Sequence, residues 1–255
     1  MKTSNFRSVA ANAASVAGLW LAFVLASPLS ASAANETEKA PAKPAEAQAP
    51  KASEPVAGTV WTNLFDGKTL AGWKPSDFAG AGAVKVDNGQ IVIDMGNNMS
   101  GITWTNPVMR MDYEIQMDAM RVEGSDFFCG LTFPVGKEPC TLILGGWGGG
   151  LVGLSSIDGS DASQNQTTTF MQVESGRWYH VRLRVTQGRI QAWVDDERKV
   201  DFKIEERTLS IRIEVEASKP LGVATYATKA ALKNIQWRHI AEPEPDAAKK
   251  RRQSQ

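Results

Sequence analysis

An excess of positive charge is the first thing this 255-residue chain lacks: 28 Lys and Arg stand against 28 Asp and Glu. A nucleic-acid-binding surface usually announces itself as a basic excess or stripe, so no nucleic-acid partner is expected. Histidine is as scarce as cysteine, at two residues each. His180 and His239 fall in no H-x-H or H-E-x-x-H spacing, which argues against a histidine-based zinc site. No P-loop and no Ser-His-Asp order is present, so no metal and no cofactor is expected. The E-x-D-x-x-E signature of jelly-roll glucanases is missing too, and with it the paired carboxylates of ordinary retaining chemistry. Heptads, helical periodicity and repeats of 20–50 residues are all absent. What is abundant is glycine, at 22, and tryptophan, at 8, in a chain that is 42% hydrophobic and 22% charged. That composition points to a folded, turn-rich, all-β protein.

The two ends stand apart. Lys2 and Arg7 precede an apolar run, Val16 to Leu25, that is broken at Ser27-Pro28 and followed by Ala31-Ser32-Ala33. This is the pattern of a cleaved signal peptide over residues 1–33. The apolar run is about half the ~20 residues that a spanning helix needs, so no membrane span is expected in the mature chain. The protein is therefore expected to be exported, to the periplasm or the extracellular space. Residues 34–57 are Ala, Pro, Glu and Lys with little to bury, the composition of a disordered linker. Residues 241–255 form a charged tail of the same kind.

Residues 58–240 read as one domain of strands. Tyr179 to Val185 alternates, with Val181, Leu183 and Val185 on one face and His180, Arg182 and Arg184 on the other. A turn at Thr186–Arg189 and a second alternating run, Ile190 to Val194, make residues 178–195 a hairpin. Asp87-Asn-Gly89 separates two further runs. Met111 to Met117 and Leu209 to Val215 alternate as well. About a dozen short strands in this length fit a two-sheet antiparallel sandwich. Cys129 and Cys140 flank Pro134-Val-Gly-Lys-Glu-Pro139 on two arms of a hairpin. A turn centred on Pro134-Val135 would let them form a disulfide; one centred on Gly136-Lys137 would leave two thiols.

Several segments carry a family likeness. Leu64-Phe-Asp-Gly-Lys-Thr-Leu-Ala-Gly-Trp73 resembles the opening of the 3-keto-disaccharide hydrolase domain family. Val86 to Val92, Asp112 to Met117, Gly124 to Leu131, Gly176 to Arg182, Ile190 to Asp196 and Leu232 to Ile235 are similar to its later segments, in order. The resemblance spans residues 61–240. It implies a jelly roll of the concanavalin A-like or LamG-like type, exported and acting on glycosides. It breaks at one strand: where many members carry carboxylates in a Y-E-x-Q-x-x-D pattern, this chain has Cys140-Thr-Leu-Ile-Leu-Gly-Gly-Trp147 and no acid. The position resembling the family's G-N-S-G-I strand makes Asp126 the first candidate for a catalytic base.

Other candidates come from the residues themselves. Gly145-Gly-Trp-Gly-Gly-Gly150 lets main chain approach a ligand closely and presents Trp147 for stacking on a sugar. The loop that follows offers Asp158, Asp161 and Asn165 as further catalytic or binding oxygens. Trp193 is out of phase with its inward neighbours, so it shares a face with Arg182 and Arg184. It is read either as a sugar platform or as a cation–π partner. Two functions remain open: cleavage of 3-keto glycosides, whose ketone acidifies the neighbouring hydrogen so that a base can start elimination, or non-catalytic carbohydrate binding on the same sandwich.

Overall fold

A computed structural model describes residues 60–240; the expected signal peptide, linker and tail lie outside these residues. Among the described residues the strands are β1 (Thr62–Asn63), β2 (Trp73–Pro75), β3 (Val84–Asp87), β4 (Gln90–Ile93), β5 (Met99–Trp104), β6 (Tyr113–Gly124), β7 (Cys129–Val135), β8 (Glu138–Gly146), β9 (Leu151–Ser155), β10 (Thr169–Phe170), β11 (Trp178–Thr186), β12 (Arg189–Val194), β13 (Glu197–Lys203), β14 (Gly222–Tyr226) and β15 (Thr228–His239). No described helix is long and apolar enough to cross a membrane.

The strands form two sheets. One runs β13-β12-β11-β6-β15-β4-β3 with β1 added on β15; the other runs β10-β9-β8-β7-β14-β5-β2. Their pairings are antiparallel. This is the two-sheet jelly-roll sandwich expected from the strand pattern. Alternation builds the core: Tyr179, Val181, Leu183 and Val185 of β11 are fully buried, as are Cys140, Leu142 and Leu144 of β8 from the opposing sheet. At one end Trp104 packs edge-on against Trp73 and Trp237, with ring centroids 5.1 and 6.3 Å away. The β3–β4 hairpin turns through Asn88 and Gly89, both with positive φ, as a two-residue turn of matching twist requires.

Two expectations are corrected. The β7–β8 turn is centred on Gly136-Lys137, so Cys129 faces Leu144 and Cys140 faces Phe133 across the ladder. The cysteines are free and buried, not a disulfide. Burial pushes each thiol up to about 12, because a thiolate has no solvation there. Native protein should therefore leave a thiol reagent unconsumed and yield two equivalents only after denaturation. A reductant should not move the melting temperature. One fast-reacting thiol in native protein would contradict the placement.

The second correction concerns residues 209–215, which alternate like a strand but do not form one. Leu209 makes a single bridge to Ile157. Ser210 exchanges backbone hydrogen bonds with Ser156, at 2.7 and 3.1 Å. The chain then coils into a 3-10 turn over Ile213–Ser218. Alternation needs a neighbouring strand to become a ladder, and this segment instead crosses the outer face of the seven-stranded sheet as a strap. Val215 is its buried anchor beside Met99 and Ala224, while Ile213 is exposed.

Candidate functional site

The strap and the seven-stranded sheet enclose a cavity of about 290 Å³, near the lower limit of the ~300–1,000 Å³ usual for small-molecule sites. Strand periodicity makes its floor. With Cys140, Leu142 and Leu144 committed to the core, Thr141 and Ile143 of β8 must point the other way, and both line the cavity with Ser155 of β9. Phe127, Trp147, Tyr226 and Met99 supply the apolar wall; Arg212, Glu214 and Val215 of the strap close one side; Asp126 completes the lining. The Phe127 and Tyr226 rings stack with centroids 6.0 Å apart and an interplanar angle of 26°, an offset face that suits the C–H surface of a sugar ring.

Trp147 sits at the β8–β9 turn. It is 43% exposed, and its φ of +46° lies in the left-handed region that a bulky side chain rarely adopts. Gly145, Gly148 and Gly149 around it also have positive φ. Three tethers hold this turn. The Asp126 carboxylate accepts the Phe127 N–H at 2.8 Å and the Gly148 N–H at 3.3 Å. Arg121 reaches across from β6, donating to the Gly149 and Val173 carbonyls. Thr228 both accepts from the Asp126 N–H and donates to its carbonyl.

The sequence candidates thus separate. Asp126 and Trp147 meet at one cavity. Asp158 does not reach it. Its carboxylate accepts the Thr208 N–H at 2.9 Å and pairs with Arg207 at 2.7 Å. Asp161 is one layer back, accepting from Ser163 and from Arg212 at 2.8 Å. Asn165 is structural. Its amide N–H groups donate to the Leu154, Ser160 and Asp161 carbonyls, and its oxygen accepts from Thr167. Arginines thus hold both aspartates, and the Asn165 oxygen is taken by Thr167. Trp193 and Arg182 lie on the outer face of the other sheet, where the Arg182 guanidinium sits 4.0 Å from the indole centroid; the cation–π reading is the one the structure adopts. Sequence reading passed over Phe127 and Tyr226. Phe127 precedes β7 outside any strand, beside the fully buried Phe128, so no period in the sequence marks its direction.

The strap is fastened by carboxylates. The Thr208 N–H, then the Arg207 side chain, hold Asp158 below the ordinary 3.8. Burial works against charge at Asp161, but hydrogen bonds from Ser163 and the Arg212 charge outweigh it. Arg212, foremost, holds Glu214 below 4.5. A carboxyl whose folded value is depressed contributes stability above its unfolded value and loses it as pH falls through the folded one. The strap contacts should therefore be intact from pH 7 to 5 and weaken below about pH 4. Asp158→Asn should lose less stability than the parent between pH 5 and pH 3 in urea melts. Equal losses would show that Asp158 does not fasten the strap.

Residues 60–238 match the family described as 3-keto-alpha-glucoside-1,2-lyase-like domain. No curated protein matches the chain. Among solved structures, a Crh5 transglycosylase is similar with a TM-score of 0.50 and 10% identity, over 73% of this chain and 86% of that one. A candidate glycosyl hydrolase from Parabacteroides distasonis gives 0.47 and 16%, over 71% and 94%. Domain 4 of AbnA, a GH43 extracellular arabinanase from Geobacillus stearothermophilus solved with arabinotriose, gives 0.44 and 12%, over 67% and 84%. These are likenesses of fold.

Proposed function

The chain belongs to the 3-keto-alpha-glucoside-1,2-lyase-like domain family, and from that premise we propose that it is a carbohydrate-binding jelly roll which holds a glycan in the cavity under its strap. The observation that carries this reading is the cavity lining. Phe127, Tyr226 and the outward-held Trp147 form an aromatic wall, while Thr141, Ser155, Arg212 and Glu214 offer hydrogen bonds to hydroxyls. That mixture of apolar faces and a few polar groups is what a pyranose ring requires. Strand β8, which crosses the cavity floor, offers a hydroxyl at Thr141 and an alkyl group at Ile143 instead of carboxylates.

A second reading is supported by the family and by Asp126 and Glu214 at the same cavity. In it, Asp126 removes the hydrogen on C2 of a 3-keto glycoside, the electron pair forms the enolate, and the C1–O bond breaks with its oxygen taking a proton. One experiment separates the two. Purified protein is titrated with neutral oligosaccharides and with a 3-keto-glucoside, following tryptophan fluorescence and release of the group on C1. The binding reading expects saturable fluorescence changes and no release. Release that falls by about 10²-fold in Asp126→Asn, the scale of losing a general base, would replace it with the lyase reading. No fluorescence change and no release with any sugar would overturn both.

We also propose that the protein works outside the cytoplasm, on the strength of its first 33 residues. Mass measurement of the exported form should place its N-terminus near Ala34, and a product retaining Lys2 would refute cleavage there.

A further inference from the structure

The outer face of the eight-stranded sheet, remote from the proposed glycan cavity, carries its own arrangement of charge. At its centre the Glu114 side chain of β6 has no exposed surface. Three guanidiniums surround it. Arg184 donates through Nε at 2.7 Å and Arg182 through Nη1 at 3.3 Å, both to Oε1. Arg238 of β15 donates to Oε2 through Nε at 2.6 Å and also through Nη2. One carboxylate thus faces three positive charges, so the arginines outnumber the acid they surround. Of the other carboxylates on this face, Asp201 pairs with Arg189 and Arg198, Asp118 with His180 and Asn234, and Asp112, two residues before Glu114, accepts from Gln187 through one oxygen and has no partner on the other.

The three arginines are also held in place. Arg182 lies 4.0 Å from the Trp193 centroid, with Arg184 at 5.7 Å, and Arg238 lies 4.6 Å from that of Trp61. Their side chains remain 26–35% exposed, so N–H groups not turned toward Glu114 face solvent. A guanidinium fixed by a carboxylate at one edge and an indole at its face has lost rotamer freedom before any ligand arrives. Donors held this way suit oxyanions, which accept two N–H bonds in one plane.

We infer that this arginine–tryptophan face binds an acidic polysaccharide through its carboxylate or sulfate groups. The surroundings choose the class. Among the described residues no exposed large hydrophobic side chain is on β11, β12, β13 or β15, and the one on β6, Val122, lies eight residues along the strand from Glu114, whereas protein interfaces concentrate binding in a buried apolar or aromatic centre. Trp193 and Trp61 have guanidiniums on their rings, which leaves little free indole face for stacking nucleobases. What the arginines have beside them is amide: Gln116 stands opposite Arg182 and Gln191 opposite Arg184 in the strand register. Amides both donate to and accept from hydroxyls, and an acidic polysaccharide carries several hydroxyls beside its acid groups.

The test is titration of the full protein with heparin, with polygalacturonate, with a neutral β-glucan and with duplex DNA, at about 50 and 300 mM NaCl. Binding to heparin, to polygalacturonate or to both supports the inference and tells sulfate from carboxylate. It should weaken roughly tenfold at the higher salt. Arg182→Gln removes the longest of the contacts to Glu114 and should weaken binding about fivefold. Gln191→Glu removes no guanidinium, sets a like charge against the ligand, and should weaken it as well, which keeps the test valid if the first variant folds poorly. Trp147→Ala, at the other face, should bind the acidic polysaccharides as the parent does. No binding to either acidic chain, equal binding of DNA, or parent-like affinity in both face variants would overturn the inference; binding of the neutral glucan counts against it only where Arg182→Gln weakens that binding too and Trp147→Ala does not. Loss in Trp147→Ala would reassign the ligand to the cavity.

Discussion

Glu114→Ala should lower the melting temperature by about 6–12 °C, the largest single effect expected on stability. The reason is the asymmetry of a buried ion cluster. Forming it gains little over a hydrophobic replacement, because all the charges are partly desolvated, but removing one member leaves the others uncompensated, at roughly 3–5 kcal/mol. Here the remaining members are Arg182, Arg184 and Arg238, held within one neighbourhood by β11 and β15. Their tips still reach water, so the lower end, about 3 kcal/mol, is expected. In a domain of this size that corresponds to the shift given. Burial alone would raise the Glu114 carboxyl, but hydrogen bonds and charge from Arg238 and Arg184 outweigh it and keep the group below 4.5. Its contribution is therefore present above that value and is lost on acidification. Thermal melts at pH 7 and pH 4 check both statements. Alanine should be most destabilising at pH 7, with the gap from the parent narrowing at pH 4. A shift under about 2 °C at pH 7 would mean that solvent screens the arginines from one another.

The largest effect on binding is expected at Trp147. Trp147→Gly should reduce affinity for a cavity-bound neutral glycan by at least about 30-fold, since removing a central tryptophan from a binding surface commonly costs 2 kcal/mol or more. The same change should leave stability unaltered or slightly raised. Trp147 holds a φ of +46°, which glycine adopts without the ~1–2 kcal/mol that a side chain costs there, and the residue is 43% exposed, so the packing lost is partial and is offset by the relieved backbone. A residue kept in strained backbone with much of its surface open at a cavity is explained by what the ring contacts, not by what it stabilises. Calorimetric titration and a thermal melt of the variant decide it. Parent-like affinity removes Trp147 from the site, and a fall of more than about 5 °C shows that the indole supports the turn. Asp126→Asn belongs beside it: the Asn amide oxygen can still accept one N–H, so the turn should loosen only partly and glycan affinity should fall less than in Trp147→Gly.

Much of this protein is written in short-range pattern. The strict alternation of β11 and the Asn88-Gly89 turn specify strand, face and hairpin within ten residues, because side-chain direction in a strand has period two and a two-residue turn needs positive φ. The likeness of the segments between Leu64 and Ile235 to one family extends this from local elements to the sandwich. The alternation also foretold that Trp193 shares a face with Arg182 and Arg184. It was silent on what that face meets.

Everything decided at long range stayed closed to the sequence. The cysteines were separated by a choice of turn centre, since a shift along the β7–β8 hairpin changes which residues stand opposite. Leu209–Val215 carries a strand's alternation, yet it crosses a sheet face and has no ladder to join. Asp158 and Asp161 looked like available loop acids until folding set Arg207 and Arg212 upon them, from 49 and 51 residues further along the chain. Glu114 is one of several alternating acids on β6, and only the arrival of Arg238, 124 residues later, makes it the buried centre of an arginine cluster. Period and turn chemistry act between neighbours in sequence, so one chain suffices to read them. Convergence of charges and of a cavity wall depends on how two sheets and a strap are laid against one another, and that is set by tertiary packing.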